Sequence, residues 1–415
     1  NLTSEIKVAQ FAGYVSEHSC YHHGEMSLNK AIVNQAQEFV GSNNINPLLP
    51  NGQFGTRLEG GKDSASERYI FTMLNPITRF VFPKDDEYIL NYLDDDGTRV
   101  EPDWYVPIIP MILVNGAKGI GTGFSTDIMC HNPKDIISYL RYMLKGEKQI
   151  DIEINPYYRG FKGEIIKVAT QKFLIKGCYE KNDKNSVTVT ELPLGKWTDD
   201  YKNFLEKEID SSKKIIKEYV DMSTDKTVSI VVKFHSGQLE EYESNKIDKN
   251  INGVEKYLQL TTTHSTTNMY LFDADDKLKK YESVEEIIKD YYSCRIKMYR
   301  ERIDYIINNL KNELCHLSNK AKYILENLEG TIDLRKKKKQ EIIDMLIKKE
   351  YDMMNDDVEF KYLVKMPMDS VSEENVEKIM KQKDEKQKEL EMYSKMTPQK
   401  LWGDELTILE KELNL

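Results

Sequence analysis

From Ser283 to Glu329 the chain contains neither proline nor glycine. Within that run Ile303, Ile307, Leu310, Leu314, Leu317, Ala321, Ile324 and Leu328 alternate steps of four and three residues. An apolar repeat of seven residues marks a helix in a coiled coil. At about 1.5 Å per residue such a helix is roughly 70 Å long, so this segment is an arm. Gly330 is placed to stop it, and "LRKKKKQEIIDMLIKKEY" resumes as a short amphipathic helix. After Met366-Pro367 a second long helix is expected from about Ser372 to Ser394, with sparse apolar positions at Val376, Ile379, Leu390 and Tyr393. The pattern predicts an antiparallel pair: an arm out, a small helical head and a return arm. On its own the head has little to cover Ile342, Ile343, Met345, Leu346 and Val364, which points to pairing of two heads in a homodimer. A plain spacer is the competing reading. The Arg335–Lys339 run reads as a solvated helix face rather than a nucleic-acid site.

The rest of the chain is not rod-like. At roughly 100–200 residues per domain, 415 residues imply about two to four domains. Charged residues make up 31% and the net charge is −10, which argues against binding nucleic acid by bulk charge; DNA contact requires a local patch or a partner segment. Five scattered cysteines without a C-x-x-C pair predict reduced thiols rather than a zinc knuckle or disulfide framework. No apolar run reaches membrane-span length, no signal peptide opens the chain, and the abrupt start "NLTSEIKVAQ" suits a fragment of a longer protein. The expected class is α+β multidomain. Residues 1–107 mix short helices, Gly-rich loops and a β-like segment. Residues 108–272 carry β-type runs such as "SVTVTEL" and "TVSIVVKF", and from about Tyr281 the chain becomes long, charged and helical.

Three stretches carry candidate chemistry. In "YHHGEMSLNKAIVNQAQEFVG" a helix after Gly24 has Leu28, Ile32, Ala36 and Phe39 as its apolar stripe. Ser27, Lys30, Asn34 and Gln37 share another face, rich in donors, carrying one positive charge and no acid. That suits either a solvated surface or a helix laid on DNA. The adjacent His22 and His23 point in different directions, so a shared metal is disfavoured.

In "NPLLPNGQFGTRLEGGKDSASERYIF" the glycines at 52, 55, 60 and 61 permit close backbone approach to a ligand, and Arg57, Lys62 and Arg68 supply cations. The alternation from Tyr69 to Leu74 reads as a strand, and helix, Gly-rich loop and strand together are compatible with a winged-helix module. The ordinary reading of Tyr69 puts its ring in the core. The other makes it a nucleophile, which requires activation, and Arg68 is the cation at hand. No acidic cluster forms an adequate metal cage; Asp94–Asp96 before Gly97 reads as a turn. In "VPIIPMILVNGAKGIGTGFS" the P-loop spacing and ending are absent, and the dinucleotide fingerprint fails because no helix start or later acid is in the right place. Ile120, alone on a Gly-rich tip, suits a wedge between DNA bases.

Several long stretches in order resemble the type IIA DNA topoisomerases in their eukaryotic form: "KVAQFAGYVSEHSCYHHGEMSL", "FVGSNN", "GQFGTRLEGGKDSASERYIFTML", "RVEPDWYVPIIPMILVNGAKGIGTGFS", "ELPLGKWT" and "LFDADDKLKKY". The resemblance implies a DNA breakage-reunion core. It makes Tyr69 the nucleophile that becomes linked to a 5′ phosphate and Arg68 its transition-state partner. It places His22 and His23 at the cleavage centre, puts Ser27, Lys30, Asn34 and Gln37 on a DNA-facing helix, sets Arg57 and Lys62 on the loop flanking the scissile phosphate, and makes Ile120 the residue that intercalates and bends DNA. Residues 1–107 become a winged-helix domain, 108–272 a tower, and 273–415 the coiled coil and C-gate.

The resemblance also implies Mg2+ held by a Toprim domain of the opposite protomer, ATP bound by a separate ATPase domain, a homodimer and a nuclear location. The Toprim and ATPase domains lie outside these 415 residues, so the isolated chain is expected neither to cleave DNA well nor to hydrolyse ATP. A non-catalytic, DNA-bending architectural dimer is the alternative, and a coiled-coil scaffold without nucleic acid is a third reading.

Overall fold

The computed structural model describes residues 2–147, 151–334, 337–354, 357–367 and 371–414. It divides into two compact units. The first comprises Asn1–Lys84, Leu90–Arg295 and Gly403–Leu415; the second comprises Asp85–Ile89 and Ile296–Trp402.

In the first unit β1 (Ile6–Lys7) leads directly into α1 (Val8–His18), and α2 (Glu25–Ala36) follows. β2 (Phe71–Thr72) returns antiparallel to β1, pairing Ile6 with Thr72 and Lys7 with Phe71. Val8, Ala12, Ile32, Val33, Ala36, Leu48, Phe54 and Ile70 close a small core between them. The expected stripe of α2 is therefore present at Ile32 and Ala36, with Leu28 packed at its edge. Phe39 lies beyond the helix and meets Trp197 edge-on, the rings 5.7 Å apart. After α3 (Thr78–Val81), β3 (Tyr92–Asp95) and β4 (Thr98–Pro102) form a hairpin. Asp96 and Gly97 both have positive φ, as a tight Asp-Gly turn requires, and Asp94 accepts from the Gly97 N–H at 2.9 Å. The acidic triplet is the turn that the sequence suggests.

The next helix, α4 (Met111–Val114), precedes the hairpin of β5 (Ala117–Ile120) and β6 (Ser125–Ile128). α5 (Pro133–Leu144) starts at Asn132, whose side chain accepts from the Lys134 N–H. Then come β7 (Glu164–Ala169), β8 (Lys172–Lys176), β9 (Cys178–Lys181), β10 (Ser186–Glu191), α6 (Thr198–Ile209), β11 (Ile216–Asp221), β12 (Ile230–Phe234), α7 (Gln238–Ser244), α8 (Gly253–Tyr257), β13 (Thr261–Ser265), β14 (Tyr270–Phe272) and β15 (Leu278–Lys280). They build a four-stranded sheet ordered β11-β12-β10-β9 and a three-stranded sheet ordered β13-β8-β7, both antiparallel, while β14 pairs with β15. The runs "SVTVTEL" and "TVSIVVKF" become β10 and β12, and their inward Val187, Val189, Ile230 and Val232 pack on Tyr201 and Leu205 of α6.

Buried asparagines tie residues 44–46 to this part of the unit. The Asn44 amide donates to the carbonyls of Val114, His131 and Tyr157 at 2.9–3.1 Å and accepts from the Arg159 N–H at 2.8 Å. Asn115 exchanges two hydrogen bonds with the Ile45 backbone. His131, only 2% exposed, sits at this junction, and burial pushes its pKa down to about 4 against weaker opposing contacts from the Leu113 and Met129 backbones. The unfolded chain binds this proton near the ordinary 6.5. Between those values the unfolded state holds more protons, so stability drops as pH falls through that window. Between pH of about 7.5 and about 5, His131→Gln is expected to lose roughly 2 kcal/mol less stability than the parent chain, measured by denaturant unfolding. An equal loss contradicts the assignment.

α9 (Val284–Leu328) is one continuous helix of 45 residues, about 68 Å long. In the second unit its seam is buried at Ile303, Leu310, Leu314, Ala321 and Ile324. After Gly330 (φ +72°) come α10 (Lys339–Lys348), α11 (Lys361–Val364), α12 (Glu373–Ser394) and α13 (Pro398–Glu412). Ile379 of α12 packs on Ala321 and Ile324, whereas Lys386, further along α12, pairs with Glu313, earlier on α9, at 3.0 Å. Opposite directions along the two helices establish the expected antiparallel pair.

The head corrects the expectation for Leu346 alone. Leu346 is fully buried among Tyr323, Ile332, Tyr351, Phe360 and Leu363, because aromatic side chains from several segments supply a core of its own. Ile342, Ile343, Met345 and Val364 pack around that core half-buried. Of the basic run, Arg335 and Lys336 lie outside the described residues; Lys339 opens α10 and pairs with Glu359. α13 was not legible in the sequence: its Trp402 is completely buried, stacked on Tyr299 with centroids 5.4 Å apart.

Candidate active site

Tyr69 lies in a short turn whose backbone is fixed on both sides. Its N–H donates to the Ser66 carbonyl at 2.9 Å, Ala9 N–H donates to Glu67 O, and Val8 N–H donates to Ile70 O. Two residues on, Phe71 and Asn51 exchange two backbone hydrogen bonds. The alternation turns Ile70 (2% exposed) and Thr72 (0%) inward. Tyr69 therefore faces out, with 71% of its surface exposed, and the core reading of its ring is excluded. Arg68 is exposed beside it, its guanidinium carbon 5.8 Å from the centre of the Tyr69 ring. Among the described residues no hydrogen-bond partner meets the Tyr69 hydroxyl. The site presents an exposed phenol and an adjacent cation on a hydrogen-bonded turn.

The loop before it is held by residues expected to serve otherwise. Gln37 caps the C-terminus of α2 from a buried position and donates from Nε2 to the Phe54 and Gly61 carbonyls at 2.8 and 3.3 Å. Arg57 is likewise buried, and its guanidinium is paired with the buried carboxylate of Glu191 on β10. Glu191 also accepts from the backbone N–H groups of Leu192 and Lys162. Both residues thus depart from the expectation of DNA-facing donors. Their polar atoms are committed inside the protein, because a buried amide or guanidinium requires internal partners. Asp63 completes the clamp by accepting from the Thr56 N–H and hydroxyl at 2.8 and 2.5 Å.

The glycines also serve packing rather than ligand approach. A Cβ on Gly60 (φ +65°) would stand 2.2 Å from the Trp197 ring, and one on Gly61 would stand 2.5 Å from Gln37 Nε2. Trp197, Glu191 and Asn44 are the supporting residues that sequence reasoning passed over. Trp197 and Glu191 lie at "ELPLGKWT" and Asn44 in "FVGSNN"; an acid closing an alternating apolar strand was the available sign for Glu191.

Ser27, Lys30 and Asn34 are exposed on α2, and Lys62 is exposed on the loop. His22 and His23 are exposed before α2. His22 Nε2 lies 3.7 Å from Asp95 of the β3–β4 hairpin, and the His23 ring meets Tyr21 edge-on at 5.4 Å. Ile120 stands on a separate hairpin, at the end of β5, with 94% of its surface exposed. Among the described residues no three His, Cys, Asp or Glu side chains are gathered to hold a metal ion, and no helix is long and apolar enough to cross a membrane.

An exposed tyrosine beside an arginine, a polar helix and an exposed apolar hairpin tip, carried on a mixed α/β unit with a long helical arm, define the class. Residues 1–407 match the model of the family described as the A subunit of DNA gyrase/topoisomerase IV, and the chain belongs to that family. Its similarity is to the eukaryotic type II enzymes. It is 41% identical over 450 residues to DNA topoisomerase 2 of Arabidopsis thaliana, covering 99% of this chain and 30% of the relative. It is 40% identical over 449 residues to DNA topoisomerase 2-alpha of Cricetulus griseus, covering 100% of this chain and 29% of the relative. The crystal structure of the Plasmodium falciparum topoisomerase II DNA-binding, cleavage and re-ligation domain superimposes with a TM-score of 0.90 at 38% identity, covering 100% of this chain and 58% of that one. The chain thus spans about 30% of the length of the curated relatives it matches.

Proposed function

We propose that this chain is the breakage-reunion core of an ATP-dependent type II DNA topoisomerase. The observation that carries this reading is the exposed Arg68–Tyr69 pair on a fixed turn, in a chain of this family. In this reading Tyr69 Oη attacks a DNA phosphorus and loses its proton. A phosphotyrosyl bond forms, the bond from phosphorus to the 3′ oxygen breaks, and the 5′ phosphate stays on the tyrosine. The free 3′ hydroxyl later reverses the exchange, so the energy of the broken bond is kept and the strand is resealed. Arg68 stabilises the negative charge that grows on the phosphate oxygens.

His22, His23, Ser27, Lys30, Asn34 and Lys62 are the groups proposed to hold the DNA backbone, and Ile120 is the proposed wedge. Gln37 and Arg57 act one step back, by holding the 54–61 loop. Cutting both strands and passing a second duplex through the break would control supercoiling and decatenation. Residues 1–107 serve as the winged-helix domain, 108–272 as the tower, and 273–415 as the arms and C-gate through which two copies pair. Among the described residues no side-chain cluster fits a magnesium site; in this reading a Toprim domain of the opposite protomer supplies Mg2+ and a further domain binds ATP. The setting is the nucleus. A purely architectural DNA-bending dimer has no use for an exposed phenol beside a guanidinium.

The chain supplied with a Toprim domain and magnesium provides the test. Arg68→Ala is expected to keep duplex affinity and to lose cleavage by on the order of a hundredfold, with Arg68→Lys partly restoring it. Unchanged cleavage by Arg68→Ala contradicts the assigned role.

A further inference from the structure

A wedge works only if it is stiffer than what it parts. Ile120 has almost no packing of its own, and its hairpin consists of two strands of four residues, too few to be rigid alone. The stiffness must come from outside the hairpin. At the tip, Gly121 N–H donates to Phe124 O at 2.8 Å, and the Phe124 ring lies so close over Gly121 that a Cβ there would meet it at 2.6 Å. Phe124 is also met edge-on by Phe272 of β14, with centroids 5.9 Å apart and planes at 84°. Phe272 is itself 59% exposed, so core burial does not explain it. Just before β14, Asn268 grips the returning strand twice: its carbonyl accepts from the Asp127 N–H at 2.8 Å, and its Nδ2 donates to Ser125 Oγ at 2.7 Å. Ser125 is the register partner of Ile120. His264, on β13, adds a contact of 3.6 Å to Asp127, which also pairs with Lys118 at 3.4 Å.

We propose that Phe272 and Asn268 are positioning residues that brace the Ile120 hairpin, so that contact with DNA bends the duplex instead of the hairpin. The inference rests on the wedge reading of Ile120. The brace is outside the hairpin in sequence, and neither residue belongs to the proposed cleavage centre. Edge-to-face geometry is specific to a ring, so Phe272→Tyr preserves it and Phe272→Ala removes it. Because the brace acts through Ile120, its loss adds little once Ile120 is gone.

The experiment measures end-to-end energy transfer in a doubly labelled duplex bound to the chain with its Toprim domain, alongside duplex affinity, cleavage and thermal melting. Phe272→Ala and Asn268→Ala, singly and together, are expected to melt near the parent and to bind duplex within about threefold of it. The double variant should shift the bound duplex toward the straight state and lower cleavage by about tenfold or more. Phe272→Tyr should restore bending, and Ile120→Ala combined with the double variant should be no worse than Ile120→Ala alone. If Ile120→Ala straightens the duplex and the double variant does not, the brace is overturned while the wedge stands. If Ile120→Ala itself leaves the bend intact, the wedge reading fails and the brace with it.

Discussion

Tyr69→Phe is expected to leave the fold and DNA affinity intact and to reduce covalent protein–DNA adducts by on the order of a thousandfold or more. The substitution removes one oxygen. That oxygen has no hydrogen-bond partner among the described residues, and most of the side chain is exposed, so its loss costs stability less than about 0.5 kcal/mol. The backbone that positions the ring is held by contacts of Ser66, Glu67, Ile70 and Phe71, none of which involves the hydroxyl. Chemistry and stability are therefore separable at this position. A cleavage assay with denaturing detection of trapped adducts, run beside a melting curve, checks both halves. Adducts at parental level in Tyr69→Phe would remove Tyr69 from the mechanism.

Arg57→Ala is expected to destabilise the first unit by about 3–5 kcal/mol, a far larger effect than any surface substitution on α2. The reason is what stays behind. Glu191 is 1% exposed, and without the guanidinium its carboxylate remains buried with, among the described residues, the N–H groups of Leu192 and Lys162 as partners. Glu191→Gln keeps an acceptor for those groups and should cost less. Combining it with Arg57→Met should recover part of the loss, since no unpaired charge is then buried. Loss of DNA binding in Arg57→Ala should track loss of folding. A variant that folds with parental stability yet binds duplex poorly would restore the direct DNA contact that its burial argues against. Urea unfolding measured together with duplex binding distinguishes the two.

The features legible in the sequence were those with a long or strict pattern. The arm was readable because a seven-residue repeat persists from Ile303 to Leu328, and its end because Gly330 follows. β10 and β12 were readable because valines and isoleucines alternate in them. Ile120 stood out because it is the single large apolar side chain among the glycines at 116, 119, 121 and 123. What escaped was pairing over distance. Gln37 and Arg57 look like surface donors in one dimension; only the approach of β10 and of the 54–61 loop turns them inward. Trp197 gives the glycines at 41 and 60 their packing role, yet it lies well over a hundred residues away. The same applies to the head, where Phe360 and Tyr323 converge on Leu346 from opposite ends of the segment. Patterns of local period survive in sequence, whereas a buried polar group announces itself only when its partner arrives.

One exposed tyrosine, Tyr69, is proposed to carry the broken DNA strand. The most direct measurement is to trap the adduct formed on duplex DNA by the chain with its Toprim domain and magnesium, digest both components, and locate the nucleotide by mass spectrometry. A 5′-linked nucleotide is expected on the peptide containing Ser66-Glu67-Arg68-Tyr69, attached at Tyr69 and nowhere else. A nucleotide on another tyrosine, such as the exposed Tyr14 or Tyr105, or a 3′ linkage at Tyr69, would contradict it.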